Sequence, residues 1–470
     1  MKRNKYNKPS LPKPIYDDSD EFLSLYHYAW QTAFKNIDYV EKDGWKPILT
    51  CMPGVGITWQ WDSCFLTLFT NYSNDMLTAF DNLDNFYRLR RQSDGYISMA
   101  YRIKDDLPAY GERINPPLYA WVEWEHYLIS GDSSRFCKVL DAIEGLYNFI
   151  ENHRTRSCGL YYFEDTGSSG MDNSPRSGYV SEKLDGSDVC FIDLACQQSL
   201  SALCMSKMYA VLQNTKKSDF YKNESDRINA LINKYHYCEK TGFYYDFFAR
   251  DKAELRVKLI NTKTSAAFWT LLCGAATGER LKRVVEHIMS PDEFYTPTPF
   301  ASLSKDDLNY DATGGYWLGA AWHPTNFVAV RGLYQNGYKK EAREASEKFL
   351  NVIAEAGGIW ECYSPEQNRA ATREDGSTVR PDFVGWGGLF PITVFIENII
   401  GLHFDAHNKT VTFDICTDKK HGIENMSFCG KKISIVYENK KIYVETEMAF
   451  TLVVNNLEMF IDEGVHTLKI

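Results

Sequence analysis

Apolar positions recur every three and four residues through most of the chain, which is the spacing of amphipathic helices. This spacing predicts about twelve helices in a row before residue 402, a number that corresponds to six helical hairpins. Few stretches before residue 400 alternate with the period of a strand, which argues against folds in which strands and helices alternate. The predicted helices cover residues 19–36, 61–72, 76–91, 116–130, 134–153, 191–213, 217–235, 263–274, 278–289, 316–336, 338–354 and 387–401.

The pattern changes after Leu402, where apolar and polar residues alternate with period two. Asn, Lys and Gly turns separate the alternating segments, as expected for short strands. We therefore predict a mainly α chain: an (α/α)6 toroid over residues 1–402, followed by a small antiparallel β appendage over residues 403–470. The alternating segments are Thr410–Ile415, Lys432–Tyr437, Lys441–Thr446 and Phe450–Val454.

Composition narrows the classes of function. The 470 residues carry a net charge of −10 and no run of Lys or Arg, so we expect no nucleic-acid and no membrane partner. The basic segment Met1–Pro14 lacks the apolar core of a signal peptide, and no stretch offers about 18 uninterrupted apolar residues. The twelve cysteines contain no C-x-x-C pair and are expected to be reduced thiols. A cytoplasmic protein is predicted, and its oligomeric state is not specified.

The segment Ser169–Arg176 places one carboxylate, Asp172, in a Gly/Ser-rich loop that no packing pattern explains. From Ser157 to Val189 no apolar period is sustained, and loops of this length in compact domains usually line a site or are disordered. The Asp-Asn-Ser-Pro string also fits a simple Asx-turn. Asp172 is nevertheless the first candidate for a chemical role.

Aromatic residues make up 14% of the chain, and several of them stand next to acids in predicted loops. Trp59-Gln60-Trp61-Asp62 precedes a predicted helix, where Asp62 also fits an N-cap beside core tryptophans. Aromatic faces stack on the C–H faces of sugars, while carboxylates bind sugar hydroxyls. Carbohydrate is therefore the expected ligand.

Hydrolysis of a glycoside requires a second carboxyl group, approaching the glycosidic bond from the other side. Glu361 meets this description, because it follows a Gly pair at a predicted helix end and stands between Trp360 and Tyr363. It equally fits an exposed loop position. No P-loop, zinc-spaced His/Cys set or EF-hand loop is present, so no cofactor and no metal are predicted.

Taken in order, the motifs resemble the clan of inverting α-glycosidases that includes glycoside hydrolase family 63, the mannosylglycerate hydrolases and the trehalases. The resemblance covers roughly residues 45–400. The motifs that carry it are Pro53-Gly54 with Trp59-Gln60-Trp61-Asp62, Arg113-Ile114-Asn115-Pro116-Pro117, Ser169-Gly170-Met171-Asp172-Asn173-Ser174-Pro175-Arg176, Phe191-Ile192-Asp193 with Gln197, Tyr316-Trp317 with Trp322-His323-Pro324, Trp360-Glu361-Cys362-Tyr363 and Asp382 with Gly385-Trp386-Gly387-Gly388.

The resemblance implies an inverting, exo-acting α-glycosidase that hydrolyses a small α-glucoside or α-mannoside, either a disaccharide or a glycosylated small molecule. It implies Asp172 as the general acid and Glu361 as the general base. Gly54-Val55-Gly56-Ile57 stands where trehalases typically carry Gly-Gly-Arg-Phe, which argues against trehalose. The implied substrate-binding residues are Trp59, Gln60, Trp61, Asp62, Arg113, Asn115, Arg176, Asp193, Gln197, Trp317, Trp322, Trp360, Tyr363 and Trp386.

Three other functions on the same toroid remain open at this point. A polysaccharide lyase would need a Tyr/His pair in a basic cleft, which an acidic chain does not suggest. A sugar epimerase would need histidines at the mouth of the toroid, for which His126 and His323 are the candidates. A carbohydrate-binding protein without catalysis would not need both Asp172 and Glu361.

Overall fold

The computed structural model describes residues 8–177, 188–249 and 258–469 of the protein. Each of the twelve predicted helical segments contains a helix, so the prediction of a mainly helical chain is confirmed. The last of these helices, Leu389–Ile400, is a π-helix. The others are α1 Asp20–Lys35, α2 Gln60–Thr70, α3 Phe80–Leu89, α4 Tyr119–Ser130, α5 Phe136–His153, α6 Ile192–Val211, α7 Thr215–Tyr235, α8 Trp269–Leu272, α9 Gly278–Ile288, α10 His323–Gln335 and α11 Lys339–Glu355.

Most helices are shorter than predicted, and two of them by eight residues. The helix expected over 316–336 begins at His323, because Tyr316 and Gly319 have positive φ angles that an α-helix cannot contain. The helix expected over 263–274 consists of a 3₁₀ turn, Ser265–Phe268, and the single α-turn of α8. The apolar spacing located both helical segments, but it did not show the turns that come before the α-helix in each of them.

Six helices pack in a closed cycle: α2 against α4, α4 against α6, α6 against α8, α8 against α10, α10 against the π-helix, and the π-helix against α2. Most residues of α2, α6, α10 and the π-helix are buried, as expected for helices covered on all sides. The helices between them in sequence bury one face only; α7, for example, buries four of its 21 residues. The chain therefore contains two kinds of helix: helices that are buried on all sides and helices that bury one face.

Short strands connect the helices, and several of them lead directly into a buried helix. β4 ends at Trp59 where α2 begins, and β11 ends at Trp322 where α10 begins. These strands are too short to show alternation in the sequence. They are β1 Lys13–Tyr16, β2 Ile37–Asp38, β3 Ile48–Leu49, β4 Ile57–Trp59, β5 Ala100–Arg102, β6 Val189–Cys190, β7 Tyr237–Cys238, β8 Phe243–Tyr244, β9 Phe247–Phe248, β10 Lys258–Leu259, β11 Ala321–Trp322 and β12 Cys362–Tyr363.

The C-terminal part forms two sheets, with strand orders β1-β15-β16-β17-β20 and β13-β14-β18-β19. The prediction of an antiparallel appendage needs a correction, because β14 and β18 pair in parallel. Both strands are short and buried on alternate residues, so periodicity alone does not reveal their direction. The strands are β13 Leu402–Asp405, β14 Thr410–Phe413, β15 His421–Phe428, β16 Lys431–Glu438, β17 Lys441–Thr446, β18 Phe450–Val454, β19 Leu457–Ile461 and β20 Gly464–Lys469.

The first sheet also contains β1, from the other end of the chain. Lys13 pairs with Glu424 and Tyr16 with His421, so residues predicted to belong to the helical part complete the β part. One continuous hydrophobic cluster runs from α1 through the buried helices to Ile461. The hydrophobic core is therefore continuous across residue 402, and the division into two domains at this residue stays a prediction.

Within the described ranges, no helix combines the length and the apolar character needed to cross a bilayer. All twelve cysteines are free thiols. Cys64, Cys196, Cys204 and Cys273, which the sequence places on apolar helical faces, are buried as expected.

Candidate active site

A cavity of about 350 Å³ lies beside the N-terminal ends of α2 and α10 and next to the turn that starts the π-helix. Its wall is formed by loops and first helical turns, while the buried helices hold those loops in place. Ten of the predicted site residues contribute to this wall: Trp59, Trp61, Asp62, Arg113, Asn115, Asp172, Trp317, Trp322, Glu361 and Trp386.

Asp172 lies in the segment 165–177, which we call the acid loop. The loop on which the prediction rested continues to Val189, and residues 178–187 lie outside the described part of the chain. The Asp172 side chain is exposed to the open cavity, and the surrounding protein buries it only in part. This burial raises the pKa of Asp172 to about 6, and the charges of Glu361 and Asp165 act in the same direction, whereas Arg373 opposes them. The environment favours the protonated acid.

Glu361 stands in a different environment, where both carboxylate oxygens receive hydrogen bonds. The Tyr316 hydroxyl donates to Oε1 at 3.0 Å, and the Arg373 guanidinium forms an ion pair with Oε2 at 2.5 Å. The backbone is fixed as well: Glu361 N donates to Arg380 O, and Trp386 Nε1 donates to Glu361 O. These contacts hold the orientation of the carboxyl group.

Asp62 is a third carboxyl group on the same wall, in the first turn of α2. The Cys51 thiol donates a hydrogen bond to it at 3.0 Å. Burial raises the pKa of Asp62 to about 7; the charges of Glu361 and Asp172 add to this effect, and the thiol hydrogen bond opposes it. The cavity wall thus carries three carboxyl groups, and the pKa values of two of them, Asp62 and Asp172, are raised.

Tryptophans form much of the remaining wall. Trp317 and Trp322 stack with ring centroids 4.1 Å apart and an interplanar angle of 2°, and the Trp386 ring meets Trp322 edge to face at 5.9 Å. Trp59 and Trp61 line the cavity from the start of α2. Trp317 and Trp322 are 1% exposed and form the packed base of the wall, whereas Trp59 is partly exposed and its ring suits the C–H face of a sugar.

Two predicted residues, Arg176 and Asp193, lie outside this wall. Arg176 is fully buried and forms two hydrogen bonds to Asp193, at 2.6 and 2.7 Å, and two to Asp246, at 2.9 and 3.0 Å. All five N–H groups of a guanidinium point outward in one plane, so these four contacts use most of them. We therefore correct both assignments. Arg176, Asp193 and Asp246 form a buried triad that anchors the end of the acid loop.

Four further predicted residues also lie outside the wall. Gln60 donates to Pro116 O at 2.6 Å, and Gln197 is fully buried in α6. Trp360 Nε1 donates to Ala356 O, and the Tyr363 hydroxyl donates to Gly358 O. Their side chains serve packing and backbone hydrogen bonding, and we correct these four assignments too.

Sequence reasoning missed two residues that contact Glu361, namely Tyr316 and Arg373. Tyr316 belongs to the Tyr-Trp motif, in which only Trp317 was predicted to bind substrate. Arg373 lies in a polar loop that contains no motif. The only indication in the sequence that it belongs to the site is its position between Glu361 and the next Trp-Gly segment. The rest of the wall is formed by Met52, Met99, Tyr110, Gly167, Gly170, Arg380 and Phe383.

The histidines that an epimerase would require do not reach the cavity. His323 is fully buried at the start of α10, and burial lowers its pKa to about 3. His126 lies on α4 with its Nδ1 at 2.9 Å from Asn71, away from the cavity wall. In residues 8–177, 188–249 and 258–469, no three His, Cys, Asp or Glu side chains are grouped to hold a metal ion.

An acidic, tryptophan-lined cavity at one end of a helical cycle is the type of site found in glycoside hydrolases. Residues 56–378 match the family described as the mannosylglycerate hydrolase MGH1-like glycoside hydrolase domain. The chain belongs to this family, which confirms the resemblance seen in its motifs.

Two relatives and one solved structure are similar to the chain over much of its length. A Borreliella burgdorferi protein is 28% identical over 96% of this chain and 95% of its own length. The mannosyl-oligosaccharide glucosidase of Saccharomyces cerevisiae is 21% identical over 71% of this chain, which spans 41% of that enzyme. A crystal structure of the glycoside hydrolase family 63 mannosylglycerate hydrolase from Thermus thermophilus, in complex with glucose, superposes with a TM-score of 0.65 at 16% identity, over 79% of this chain and 100% of that one. At this identity the similarity shows a common fold.

Proposed function

We propose that the protein is an inverting, exo-acting α-glycosidase in which Asp172 is the general acid and Glu361 the general base. The observation that carries this proposal is the placement of two carboxyl groups, from different loops, on the wall of one cavity. Asp172 has a raised pKa and favours the protonated form. Glu361 accepts a hydrogen bond from Tyr316 on one carboxylate oxygen and from Arg373 on the other.

In this mechanism, Asp172 donates its proton to the departing glycosidic oxygen. Glu361 takes a proton from a water molecule, which attacks the anomeric carbon from the opposite face and inverts it. This geometry requires the two carboxyl groups to stand about 6.5–9.5 Å apart, leaving room for the water. That separation stays a prediction.

The cavity supports a small substrate. Its volume of about 350 Å³ suits a mono- or disaccharide-sized group, and pockets for small ligands typically measure about 300–1,000 Å³. Trp59, which is partly exposed on the wall, would stack on the sugar, while Asp62 and Arg113 would bind its hydroxyl groups. The closed cycle of six packed helices supports the (α/α)6 toroid. A cytoplasmic location is also part of the proposal.

The names of the relatives suggest which sugars to test. One relative is a mannosyl-oligosaccharide glucosidase, and one structural neighbour is a mannosylglycerate hydrolase. We therefore propose a small α-glucoside or α-mannoside as substrate. Release of glucose or mannose from aryl α-glycosides, natural disaccharides and mannosylglycerate tests this directly.

Two variants test the roles of the acids on an active substrate. Asp172→Asn should damage hydrolysis of natural glycosides far more than that of glycosyl fluorides, because a good leaving group needs no proton. Glu361→Gln should impair both substrates, with losses of roughly 10²-fold or more. Asp141→Asn is the control, since its side chain is 86% exposed on the surface. Near wild-type activity of either test variant on the natural substrate would remove that residue from the mechanism.

A further inference from the structure

Asn173, the residue after the proposed acid, bridges two distant parts of the chain. Its Nδ2 donates to Gly315 O at 3.0 Å, and its Oδ1 accepts from Trp317 N at 2.8 Å. A carboxamide carries one donor group and one acceptor group, so both are used on the same turn. We propose that Asn173 is a positioning residue, which sets the placement of Asp172 relative to Glu361.

The turn Gly315–Trp317, which Asn173 contacts, also contacts Glu361, the proposed general base. Tyr316 stands between the two bonded residues, and its hydroxyl donates to Glu361 Oε1 at 3.0 Å. Trp317 is 1% exposed, so the turn cannot shift without disturbing packed side chains. The path from acid to base therefore runs from Asp172 through Asn173 and Tyr316 to Glu361.

The backbone of the turn explains why it needs this support. Gly315 has φ of +48° and Tyr316 has φ of +66°, in the left-handed region that bulky residues rarely adopt. Hydrogen bonds hold this conformation from both sides: Tyr316 N donates to Thr372 O at 2.8 Å, and Trp317 N donates to Asn173. Removal of the Asn173 amide leaves one side of the turn unsupported.

Other contacts keep the acid loop folded without fixing its distance from Glu361. Asn115 Nδ2 donates to Ser168 O at 2.8 Å, and Arg176 anchors the end of the loop to its buried aspartates. Neither anchor contacts the Gly315–Trp317 turn. A variant at Asn173 is therefore expected to keep its fold but to lose the alignment of acid and base.

This inference rests on the proposed function for its kinetic part. Asn173→Ala should lower kcat about 10²-fold, the typical cost of a misplacement of about 1 Å, and leave KM close to wild type. Both natural glycosides and glycosyl fluorides should be affected, unlike in Asp172→Asn, because the distance between acid and base matters for the attack of water as well.

A second readout does not depend on activity. Asp172 faces the negative charges of Glu361 and Asp165 and the positive charge of Arg373, with Asp62 and Tyr316 on the same wall. If the acid loop moves away from Glu361, Asp172 loses a repulsive charge and should titrate at lower pH in Asn173→Ala. Carbon-13 NMR of aspartate carboxyl groups measures this titration, with the Asp172 signal assigned by its absence in Asp172→Asn.

Asn336→Ala is the matched control. Asn336 is also half-buried and also makes two side-chain hydrogen bonds to the backbone, at Leu271 O and Gly332 O, but lies at the far end of α10. It should lose stability and keep kcat. Asn173→Ser, whose side chain is too short to bridge, replaces Asn173→Ala if the latter does not fold.

Three results would overturn the inference: an unchanged kcat in the Asn173 variant, an unchanged titration of Asp172, or an equal loss of kcat in Asn336→Ala. A wild-type protein that hydrolyses no glycoside would instead refute the proposed function. In that case, the NMR titration alone still decides whether Asn173 positions Asp172.

Discussion

Replacement of Asp62 by Asn should stabilise the protein at alkaline pH, although it removes a residue of the proposed site. Burial raises the pKa of this carboxyl to about 7, so the folded protein carries an unfavourable buried charge above that pH. Asn has the same shape, and its amide oxygen can still accept the hydrogen bond of the Cys51 thiol. The substitution therefore removes the charge and little else.

The sign follows from proton binding. In the unfolded chain, Asp62 titrates near its ordinary value of about 3.9, so between about pH 4 and pH 7 the folded state holds a proton that the unfolded state has released. The stability due to this proton is fully present below about pH 4 and is lost as the pH rises through about 7. Wild type should lose it, and Asp62→Asn should not.

The magnitude is modest. A difference of about three pKa units corresponds to an upper limit of about 4 kcal/mol at 1.36 kcal/mol per unit. The side chain is only partly covered, and screening from the cavity should reduce the effect to about 1–2 kcal/mol. For 470 residues the entropy of unfolding is about 1 kcal/mol/K, so Tm should rise by about 1–2 °C.

Thermal unfolding of both proteins at about pH 4 and about pH 8 measures the effect. The gain in Tm should be present at the higher pH and absent at the lower one. Asp141→Asn, at an exposed position paired with Arg90, should show no gain in Tm at the higher pH. An equal shift of Asp62→Asn at both pH values, or a loss of Tm at pH 8, would refute the argument that burial of this carboxyl is costly.

Other predictions concern the acid loop. The kcat/KM of the wild type should fall above about pH 6, where Asp172 loses its proton; a profile flat to pH 8 would contradict its role as acid. Gly170→Ala places a Cβ 3.2 Å from the Trp61 ring at a φ of +81° and should raise KM and lower Tm, whereas Gly376→Ala has the same φ in open space and should lower Tm alone. Arg176→Met leaves two buried aspartates without their cation and should cost about 3–5 kcal/mol in denaturant unfolding; a change below about 1 kcal/mol would speak against the buried triad.

The sequence predicts the helices well because their apolar faces repeat over many residues, and a period sustained that long is typical of a helix packed on one face. It also identifies Asp172 and Glu361 as acids in loops, and the structure brings both to one cavity. Their catalytic roles stay predictions.

Local patterns could not reveal partners far away in sequence. Arg176 was predicted to bind substrate. In the structure its guanidinium is buried and donates a hydrogen bond to Asp246, which lies 70 residues further along the chain. Arg373 contacts Glu361 from a loop without a motif. The strand β1 has only four residues, and its partner lies about 400 residues away. Each of these features depends on tertiary pairing, which periodicity does not encode.

The pairing of β1 with β15 has a consequence for how the chain folds during synthesis. The segments that are synthesised first pair with segments that are synthesised last. Lys13 pairs with Glu424, and α1 and α2 pack against the π-helix at residues 389–400. Contacts of such long range slow folding and leave early apolar surface without cover. A fragment ending at residue 402 would contain every helix, yet its first strand would lack the sheet it belongs to. The helices should therefore be produced together with the C-terminal strands, as one piece.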